Sequence, residues 1–490
     1  MKTDILFIHP GNHKKTYQSL SEGYTAISTP VWSLLLADYV RQKGYNVKIH
    51  DTNIEGCDIS KIDGGNIKLI VIMVYGHHPS ASTQTMPAVI DIIDDLKENY
   101  GDLPIAIGGS HPSALPEKTM RESNADFVIQ GEGVYTIEGL IKAINGDPHF
   151  EKIPGLWYKK DDVIQFTYPA PNIKDLDKEL SSYAWDLLPG LDKYRAHTMH
   201  CFQYFEKSQV ENFSDVRSPY VALYTSLGCP FECYFCMIND LFDGPGVRYW
   251  SIDTVMKWID ELVNKYKVKN IRLDDELFIL NPKRVEQICD ALIERGYDLS
   301  IWVYARVNTI RESLLEKMAK AGFTWICLGI ESGSEKVRKG VNKGIDGNIR
   351  DVVRTIQKYG INVIGNYLFG LPDDDMETMQ QTLDLAVELN CEYANFYCTM
   401  AYPGSRLFQA TEEEHLPDTW DGVSQHSYET QPLPTKYLSP KEVLQFRDGA
   451  FNEYFSNKRY LDMVEQKFGK KVKNHILGML QIKLERRLLN

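Results

Sequence analysis

The sequence lacks several features that mark common classes of protein. No long run of uncharged apolar residues is suited to cross a membrane. The start, Met1-Lys2-Thr3-Asp4, has neither the basic nor the apolar region of a signal peptide. A formal net charge of −13 does not favour non-specific contact with nucleic acid. We therefore expect a cytoplasmic protein that binds neither membranes nor nucleic acid.

Cysteine is sparse, and most of it is scattered. Only Cys229, Cys233 and Cys236 lie close together, and the remaining cysteines lack paired spacing, which fits a reducing compartment. The six scattered cysteines are expected to be structural: Cys57, Cys201, Cys289, Cys327, Cys391 and Cys398. No second C-x2-C pair accompanies the three close cysteines, and a zinc ribbon normally has one.

Alternating apolar strands and amphipathic helices fill most of the chain and predict an α/β fold. At 490 residues the chain is too long for one core, and its composition is that of a globular protein. Residues 1–145 predict a doubly wound, Rossmann-like parallel sheet, and 146–217 a linker. Residues 218–410 predict a partial (β/α)6 TIM-like barrel, and 411–490 a mainly helical C-terminal region.

The three close cysteines follow a predicted buried strand and have the spacing C-x3-C-x2-C. Three thiolates can hold three irons of a [4Fe–4S] cluster, for which the usual set is four cysteines. The missing fourth thiolate leaves one iron open for another ligand. Zinc and a disulfide are the alternatives, and both are disfavoured by the spacing and by the reducing compartment.

Polar and glycine-rich turns follow three of the predicted strands in the first region. They are Tyr75-Gly76-His77-His78-Pro79-Ser80, Gly108-Gly109-Ser110-His111 and Gly131-Glu132-Gly133. The glycines let a backbone approach a ligand closely, and ligands bind at the carboxyl ends of parallel strands. Such turns also occur in α/β domains that bind nothing there, so the turns alone leave both interpretations open.

Taken together, these motifs resemble a known family. The C-x3-C-x2-C spacing, with Phe235 immediately before Cys236, resembles the radical SAM superfamily. The order of the glycine-rich turns resembles the cobalamin-binding domain that precedes the radical SAM domain in the B12-dependent branch. The Asp-x-His-x-x-Gly motif of other cobalamin proteins is absent, as it is in that branch.

The resemblance implies a [4Fe–4S] cluster on the three cysteines and S-adenosyl-L-methionine (SAM) on its open iron. It places Phe235 near the adenine. Arg306 and Glu331 become candidates for gripping the carboxylate, amino or ribose groups of SAM. Asp275 and Glu276 stand where the family often has polar SAM contacts, although they would serve equally well to cap the next element.

The resemblance also implies cobalamin on the first domain. Its expected contacts are Tyr75, Gly76, His77, His78, Ser80, Gly108, Gly109, Ser110, His111, Gly131, Glu132 and Gly133. His77 and His78 would face the lower side of cobalt, where a neutral imidazole either ligates the metal or only lines the pocket.

The activity implied is methylation of an unactivated carbon of a small molecule, through a 5′-deoxyadenosyl radical and methylcobalamin. A cyclisation or ring rearrangement on the same architecture is the alternative, and a non-enzymatic cobalamin or redox sensor is a third. A reductant such as flavodoxin or ferredoxin would be the partner. No residue of the sequence is assigned as catalytic.

Two further groups of residues are expected to be structural. His197, His200 and Cys201 match no metal-site spacing and are expected to pack in the linker. The last stretch is basic and is expected to be the solvated face of a helix over 472–489, with docking of an acidic partner or an anionic substrate as the alternative. Its basic residues are Lys470, Lys471, Lys473, Lys483, Arg486 and Arg487.

Overall fold

The computed structural model describes residues 3–58, 67–75, 82–146, 148–205 and 214–490. Within these residues the first domain contains a seven-stranded sheet of order β2-β1-β3-β4-β5-β6-β7. The first five strands are parallel, and β6 and β7 are antiparallel to their neighbours. The strands are β1 (Ile5–His9), β2 (Val47–Asp51), β3 (Leu69–Val74), β4 (Ile105–Gly109), β5 (Phe127–Ile129), β6 (Leu156–Lys160) and β7 (Val163–Phe166).

Both faces of this sheet are covered by helices, as its apolar strands require. Along β3, Leu69 and Val71 face the larger apolar core, while Ile70 and Ile72 face a smaller second core. The larger core continues without interruption into the second domain, so the two domains pack as one body. The helices are α1 (His13–Tyr17), α2 (Val31–Gln42), α3 (Thr52–Glu55), α4 (Met86–Tyr100), α5 (Ser110–Ala114), α6 (Pro116–Glu122) and α7 (Val134–Ile144).

The hairpin of β6 and β7 lies in the sequence region that we expected to be a linker. It pairs with β5 and extends the first sheet to Phe166. The rest of the connection is made of short helical segments, and His200 is buried there with its Nε2 3.0 Å from the Ser300 carbonyl oxygen. Its α-helices are α8 (Leu176–Glu179), α9 (Phe202–Phe205) and α10 (Ser214–Arg217).

The second domain contains a six-stranded parallel sheet of order β15-β14-β13-β12-β11-β8, which curls into a half-barrel. These six strands are the ones predicted from the sequence. The strands β9 and β10 pair as an antiparallel ribbon; β9 precedes the cysteine loop and β10 follows it. The strands are β8 (Tyr220–Leu223), β9 (Ser226–Leu227), β10 (Arg248–Tyr249), β11 (Asn270–Leu273), β12 (Ser300–Arg306), β13 (Phe323–Glu331), β14 (Asn362–Phe369) and β15 (Tyr393–Cys398).

Amphipathic helices cover the outer face of the half-barrel and alternate with its strands. Most of them begin at a residue whose side chain caps the helix; the Ser251 Oγ, for example, accepts a hydrogen bond from the Thr254 N–H at the start of α12. The helices are α11 (Ile238–Leu241), α12 (Ile252–Asn264), α13 (Pro282–Arg295), α14 (Glu312–Lys320), α15 (Glu335–Gly340), α16 (Ile349–Lys358), α17 (Met376–Leu389) and α18 (Arg406–Ala410).

The C-terminal region contains the helices α19 (Pro440–Ser456), α20 (Lys458–Phe468) and α21 (Lys470–Leu480). The first packs against β14 and β15, and the other two pack against it and against α9. The helix expected over 472–489 therefore ends at Leu480. Arg486, expected on a solvated face, is instead buried beside Asp448 of α19. Within the described residues, every helix is too short or too polar to cross a membrane.

Candidate active site

The cysteine loop is held by backbone contacts at both ends. Gly228 has φ +92°, and a Cβ there would lie 2.5 Å from the Gly246 carbonyl oxygen, so only glycine fits this turn. The Gly246 N–H donates to the Cys229 carbonyl at 3.1 Å, and the Cys236 N–H donates to the Cys233 carbonyl at 3.0 Å. The loop therefore has a defined conformation that keeps its three thiols on one side of the half-barrel.

The three thiols share an environment that favours binding of a cation. Burial, together with the nearby charges of Glu276 and Cys233, raises the pKa of the Cys229 thiol to about 11. Cys236 is an exposed residue, but the surroundings of its thiol, together with the charges of Glu276 and the other two cysteines, also raise its pKa. Thiols whose pKa is raised in this way become thiolates when a metal supplies the opposing charge. This donor set fits an iron–sulfur cluster.

Arg306, at the carboxyl end of β12, lies directly against the cysteine loop. Its Nη1 donates to the Cys233 Sγ at 3.5 Å, and its guanidinium lies 4.0 Å from the centre of the Phe231 ring. Its Nη2 donates to the Gly344 carbonyl at 2.7 Å. Arg306 is 4% exposed, so a fixed cation lies beside the Cys233 thiol.

Glu331 ends β13 with φ +65°, a conformation that is uncommon for a residue other than glycine. Its Oε1 lies 2.8 Å from the Nζ of Lys343, and both side chains are buried. Burial alone would lower the pKa of Lys343, but the neighbouring charges of Glu331 and Cys233 together raise it, so the lysine is held as a cation. This strained end of β13 aims a carboxylate at the interior of the half-barrel.

Adjacent carboxylates after β11 have different surroundings. Asp275 accepts hydrogen bonds from the Thr225 N–H at 2.5 Å and from the Thr225 and Ser226 hydroxyls at 2.6 Å each. It therefore fastens the chain just before the cysteine loop. Glu276 instead lines the interior cavity, and burial, together with the charges of Asp274 and Asp275, raises its pKa to about 8.

A cavity of about 440 Å³ fills the interior of the half-barrel. Phe235, Cys236, Glu276 and Glu331 line it on the side of the cysteine loop. Tyr17 and Gln84 of the first domain also line it, and both line a smaller cavity of about 80 Å³. The smaller cavity has walls from beyond the carboxyl ends of β1, β3, β8 and β11: His9, Pro10, Tyr75, Tyr224 and Asp274. The carboxyl ends of both sheets therefore face each other.

The first-domain turns expected to hold cobalamin are placed as follows. Gly109 has φ +123°, and a Cβ there would lie 2.2 Å from the Val74 carbonyl oxygen, so this glycine lets β3 and β4 approach. Ser110 and His111 open α5, which contacts α11 just after Cys236. Both are buried, and the Ser110 Oγ and the His111 Nε2 have no hydrogen-bond partner among the described residues. Unpartnered polar atoms at a strand end fit a bound polar ligand.

The His111 ring is neutral in this environment. Burial lowers its pKa to about 3, and the charge of Lys118 contributes. Its Nδ1 lies 3.2 Å from the Thr83 Oγ1, and its ring meets Trp420 edge to face with centroids 4.7 Å apart. Gly108 packs against Met73 and Ile129, where a Cβ would be tight but not excluded.

The Gly-Glu-Gly turn joins the two domains. The carboxylate of Glu132 forms an ion pair with Arg248 of β10 and accepts a hydrogen bond from the Ile173 N–H at 2.7 Å. Gly131 and Gly133 have φ +90° and +83°. Tyr75 is buried and lines the smaller cavity. Gly76, His77, His78 and Ser80 lie outside the described residues.

Sequence reasoning missed the cavity walls that come from distant segments. Tyr17 and Gln84 are contributed by the first domain, and His426, Arg447 and Phe451 by the C-terminal region. None of them belongs to a motif or follows a barrel strand. The one available signal was the amphipathic pattern of α19, which does not tell a buried arginine from an exposed one.

Two family models match the chain in the order that the motifs indicated. The B12-binding domain matches residues 24–141, and the radical SAM superfamily matches residues 223–386. The first match covers β2 to β5 of the first sheet. The second covers the cysteine loop and most of the half-barrel.

Curated relatives extend the similarity over nearly the whole chain. An uncharacterized methyltransferase of Pyrococcus horikoshii is 29% identical over 462 residues, which cover 92% of this chain and 94% of the relative. An anaerobic magnesium-protoporphyrin IX monomethyl ester cyclase of Rubrivivax gelatinosus is 25% identical and covers 97% of this chain and 81% of its own. A cytidylyl-2-hydroxyethylphosphonate methyltransferase of Streptomyces wedmorensis is 24% identical over 86% of this chain and 85% of its own.

Solved structures share the fold. The radical SAM methyltransferase TsrM from Kitasatospora setae, determined with cobalamin and a [4Fe–4S] cluster, has a TM-score of 0.64 at 17% identity. The match covers 83% of this chain and 74% of TsrM. The cobalamin-dependent radical SAM enzyme OxsB has a TM-score of 0.66 at 17% identity, over 98% of this chain and 70% of OxsB. With both domain models matched in order, the chain belongs to the cobalamin-dependent radical SAM enzymes.

Proposed function

We propose that this protein methylates an unactivated carbon of a small molecule, using SAM, a [4Fe–4S] cluster and cobalamin. The observation that carries the proposal is the facing of the two sheets. Residues beyond the carboxyl ends of β1 and β3 share a cavity wall with residues beyond β8 and β11, and this cavity adjoins the one that Cys236 lines. A substrate held there would be within reach of both domains.

Each cofactor has a set of residues that fits it. Cys229, Cys233 and Cys236 would hold the cluster, and three ligands leave one iron for SAM. Arg306 and Glu331 would bind the polar groups of SAM, and Phe235 would lie near its adenine. Cobalamin would bind at the turns that begin at Gly108 and Gly131. When bound, SAM on the cluster supplies hydrogen-atom abstraction, and cobalamin supplies the methyl group.

The chain's own residues orient the reactants and exclude water. Lys343 holds the Glu331 carboxylate in one position, and Arg306 is fixed by the Gly344 carbonyl. Asp275 supports the chain before the cysteine loop, which makes Glu276 the better candidate for a SAM contact. The aromatic cavity walls keep water from the reacting carbon, and near-contact geometry is what such steps require.

The proposal includes the division of the chain into domains at 1–145, 146–217, 218–410 and 411–490. The hairpin of β6 and β7 belongs structurally to the first sheet.

A flavodoxin or ferredoxin would supply the electron that reduces the cluster. The substrate would be a small molecule, as in the TsrM structure that was determined with tryptophan and aza-SAM.

A cyclisation or ring rearrangement is the second candidate, because relatives such as the Rubrivivax gelatinosus enzyme are named cyclases. Product analysis distinguishes the two. The anaerobically reconstituted enzyme is incubated with reductant, SAM and candidate substrates, and the nucleosides are quantified. Methylation yields S-adenosylhomocysteine and 5′-deoxyadenosine together, whereas cyclisation yields 5′-deoxyadenosine without S-adenosylhomocysteine. Cys236→Ala is the matched control and yields neither above background.

A further inference from the structure

A buried arginine lines the large cavity. Arg447 lies on α19 and is 4% exposed. Its Nε donates to the Phe396 carbonyl of β15 at 2.9 Å, and its Nη1 donates to the Asp448 Oδ1 at 2.6 Å. Neither the cysteine loop nor the SAM candidates at the ends of β12 and β13 make these contacts. The C-terminal region therefore brings a fixed guanidinium to the cavity wall.

The charges around Arg447 do not balance. Arg486, itself buried, donates from Nε and Nη2 to the same Asp448 carboxylate at 3.1 Å each. Burial raises the pKa of Asp448, but the two guanidiniums outweigh it and the pKa is lowered, so this carboxylate is ionised. Two cations thus share one anion. A buried excess charge is costly unless another group compensates it.

The neighbouring histidine does not compensate this charge. The His426 Nε2 lies 3.3 Å from the Nη2 of Arg447, and burial together with both arginines lowers the pKa of His426 well below its usual value. The ring is therefore neutral and accepts the hydrogen bond. Among the described cavity residues the only acids are Glu276 and Glu331. Glu331 is paired with Lys343, and Glu276 lies beside Cys229 and Cys236.

Arg447 has hydrogen-bonding capacity left for a ligand. A guanidinium carries five N–H groups. Three of them meet Phe396, Asp448 and His426, which leaves one on each terminal nitrogen without a partner among the described residues. Arg486 differs, because its Nη1 already donates to Gln425, Ser427 and Thr430, and it does not line the cavity.

The rest of the cavity wall around Arg447 is mostly apolar. Phe451 stands one helical turn further along α19, and Tyr393, Phe396 and Met479 line the same cavity. Aromatic walls favour a flat or elongated apolar body, and a few placed polar groups fix its orientation.

We propose that the substrate is an apolar or aromatic molecule with one carboxylate, and that the carboxylate binds Arg447. The inference rests on the proposed function, since it specifies the substrate of that same cavity. A single carboxylate matches the single excess charge, and its two oxygens suit the two terminal nitrogens of a guanidinium. The body of the molecule then extends along the aromatic walls toward Cys236.

Calorimetric titration of the anaerobic holoenzyme with four matched probes tests the proposal. The probes are 4-phenylbutyrate, 4-phenylbutan-1-ol, 4-phenylbutylamine and 4-phenylbutylphosphonate. We expect the carboxylate to bind at least about tenfold more tightly than the alcohol, because a charge-assisted bond replaces contact with water. The amine should bind most weakly. Equal affinity for the carboxylate and the alcohol would overturn the proposal, and a tighter phosphonate would overturn the choice of carboxylate.

Variants locate the effect at Arg447. Arg447→Gln should remove the preference for the carboxylate, and Arg447→Lys should retain part of it. Arg350→Gln is the control, because Arg350 is exposed and pairs with Glu388 on the surface. Preserved preference in Arg447→Gln would contradict the assignment. If that variant does not fold, the selectivity of the natural protein among the four probes still decides.

The readout separates this inference from the proposed function. Probe binding needs no turnover, whereas methylation is measured by S-adenosylhomocysteine. A preference for the carboxylate without S-adenosylhomocysteine formation would support carboxylate binding at Arg447 and contradict methylation. S-adenosylhomocysteine formation without that preference would support methylation and contradict carboxylate binding at Arg447.

Discussion

The carboxylate of Glu132 and the guanidinium of Arg248 form an ion pair that joins the two domains. Glu132 belongs to the Gly-Glu-Gly turn after β5, and Arg248 belongs to β10, which pairs with β9 just before the cysteine loop. Arg248 also donates to the Ile173 carbonyl at 2.7 Å, and Glu132 accepts from the N–H of the same residue. A turn expected to contact cobalamin is thus tied to β10, the strand that follows the cysteine loop.

We expect Glu132→Gln to destabilise the folded protein by about 2 kcal/mol. The Glu132 side chain is buried, and its loss of charge leaves Arg248 with an uncompensated charge at the junction of the domains. Because the Arg248 side chain is 24% exposed, the cost is less than for a fully buried pair. Urea unfolding of the anaerobic protein measures it.

The matched control for that change is Glu117→Gln. Glu117 pairs with Arg121 one helical turn away, and both side chains are more than half exposed. Exposed pairs contribute only about 0.2–1 kcal/mol. Equal destabilisation by the two changes would show that the Glu132 pair does not hold the domains together.

Removal of any one of Cys229, Cys233 or Cys236 should abolish the cluster. Reconstituted protein should contain about four irons per chain, and each Cys→Ala variant should lose them together with 5′-deoxyadenosine production. Iron content and the visible absorption of the cluster are the measurements. Cys289→Ala, a buried cysteine on α13, is the control and should keep its iron. A single zinc, with activity in air, would disprove the iron–sulfur assignment.

Arg306→Ala should weaken SAM binding by about tenfold or more while both metals stay bound. The change removes a charge beside Cys233 but no metal ligand. Equilibrium binding of SAM to the reconstituted protein gives the affinity, and iron and cobalt analysis gives the metal content. Arg311→Ala is the control, because the partners of Arg311 among the described residues are the nearby Asn308 and Ile310 carbonyls. Loss of iron in Arg306→Ala would assign this residue to the cluster instead.

The sequence predicted the helices and strands far better than the long-range contacts between them. Apolar strands and capped helices are local patterns, so the six parallel strands expected for a partial barrel are all found. The pairing of the β6–β7 hairpin with β5 depends on distant residues, and local alternation does not encode a partner.

The candidate site also contains residues that a local motif predicts and residues that only the fold brings together. The cysteine spacing is a local pattern and identified the loop. Asp275 and Glu276 are neighbours in sequence, and only the fold shows that one fastens Thr225 while the other faces the cavity. Arg447 and Tyr17 approach the cavity from opposite ends of the chain, which no motif could reveal.

Asp374 gives the protein a pH dependence that is separate from its metal sites. It lies after β14, fully buried, and accepts hydrogen bonds from the Leu371 N–H and the Thr378 hydroxyl at 2.9 Å each. Burial outweighs these bonds and raises the pKa of Asp374 from 3.8 to about 6. The folded state therefore binds more protons than the unfolded state between these values. The stability this group contributes is present below about pH 4 and is lost as the pH rises through 6.

We expect the natural protein to lose up to about 3 kcal/mol of stability relative to Asp374→Asn between pH 4 and pH 7. Urea unfolding of both proteins across this range measures the difference between their free energies of unfolding. All other titrating groups contribute equally to the two proteins and cancel in this difference. Asp375→Asn provides a comparison of opposite sign, because the Thr378 backbone N–H lowers the pKa of the Asp375 carboxyl. Relative to that variant, the natural protein should gain stability as the pH rises. A pH-independent difference for Asp374→Asn would mean that Asp374 has the same pKa in the folded and unfolded states.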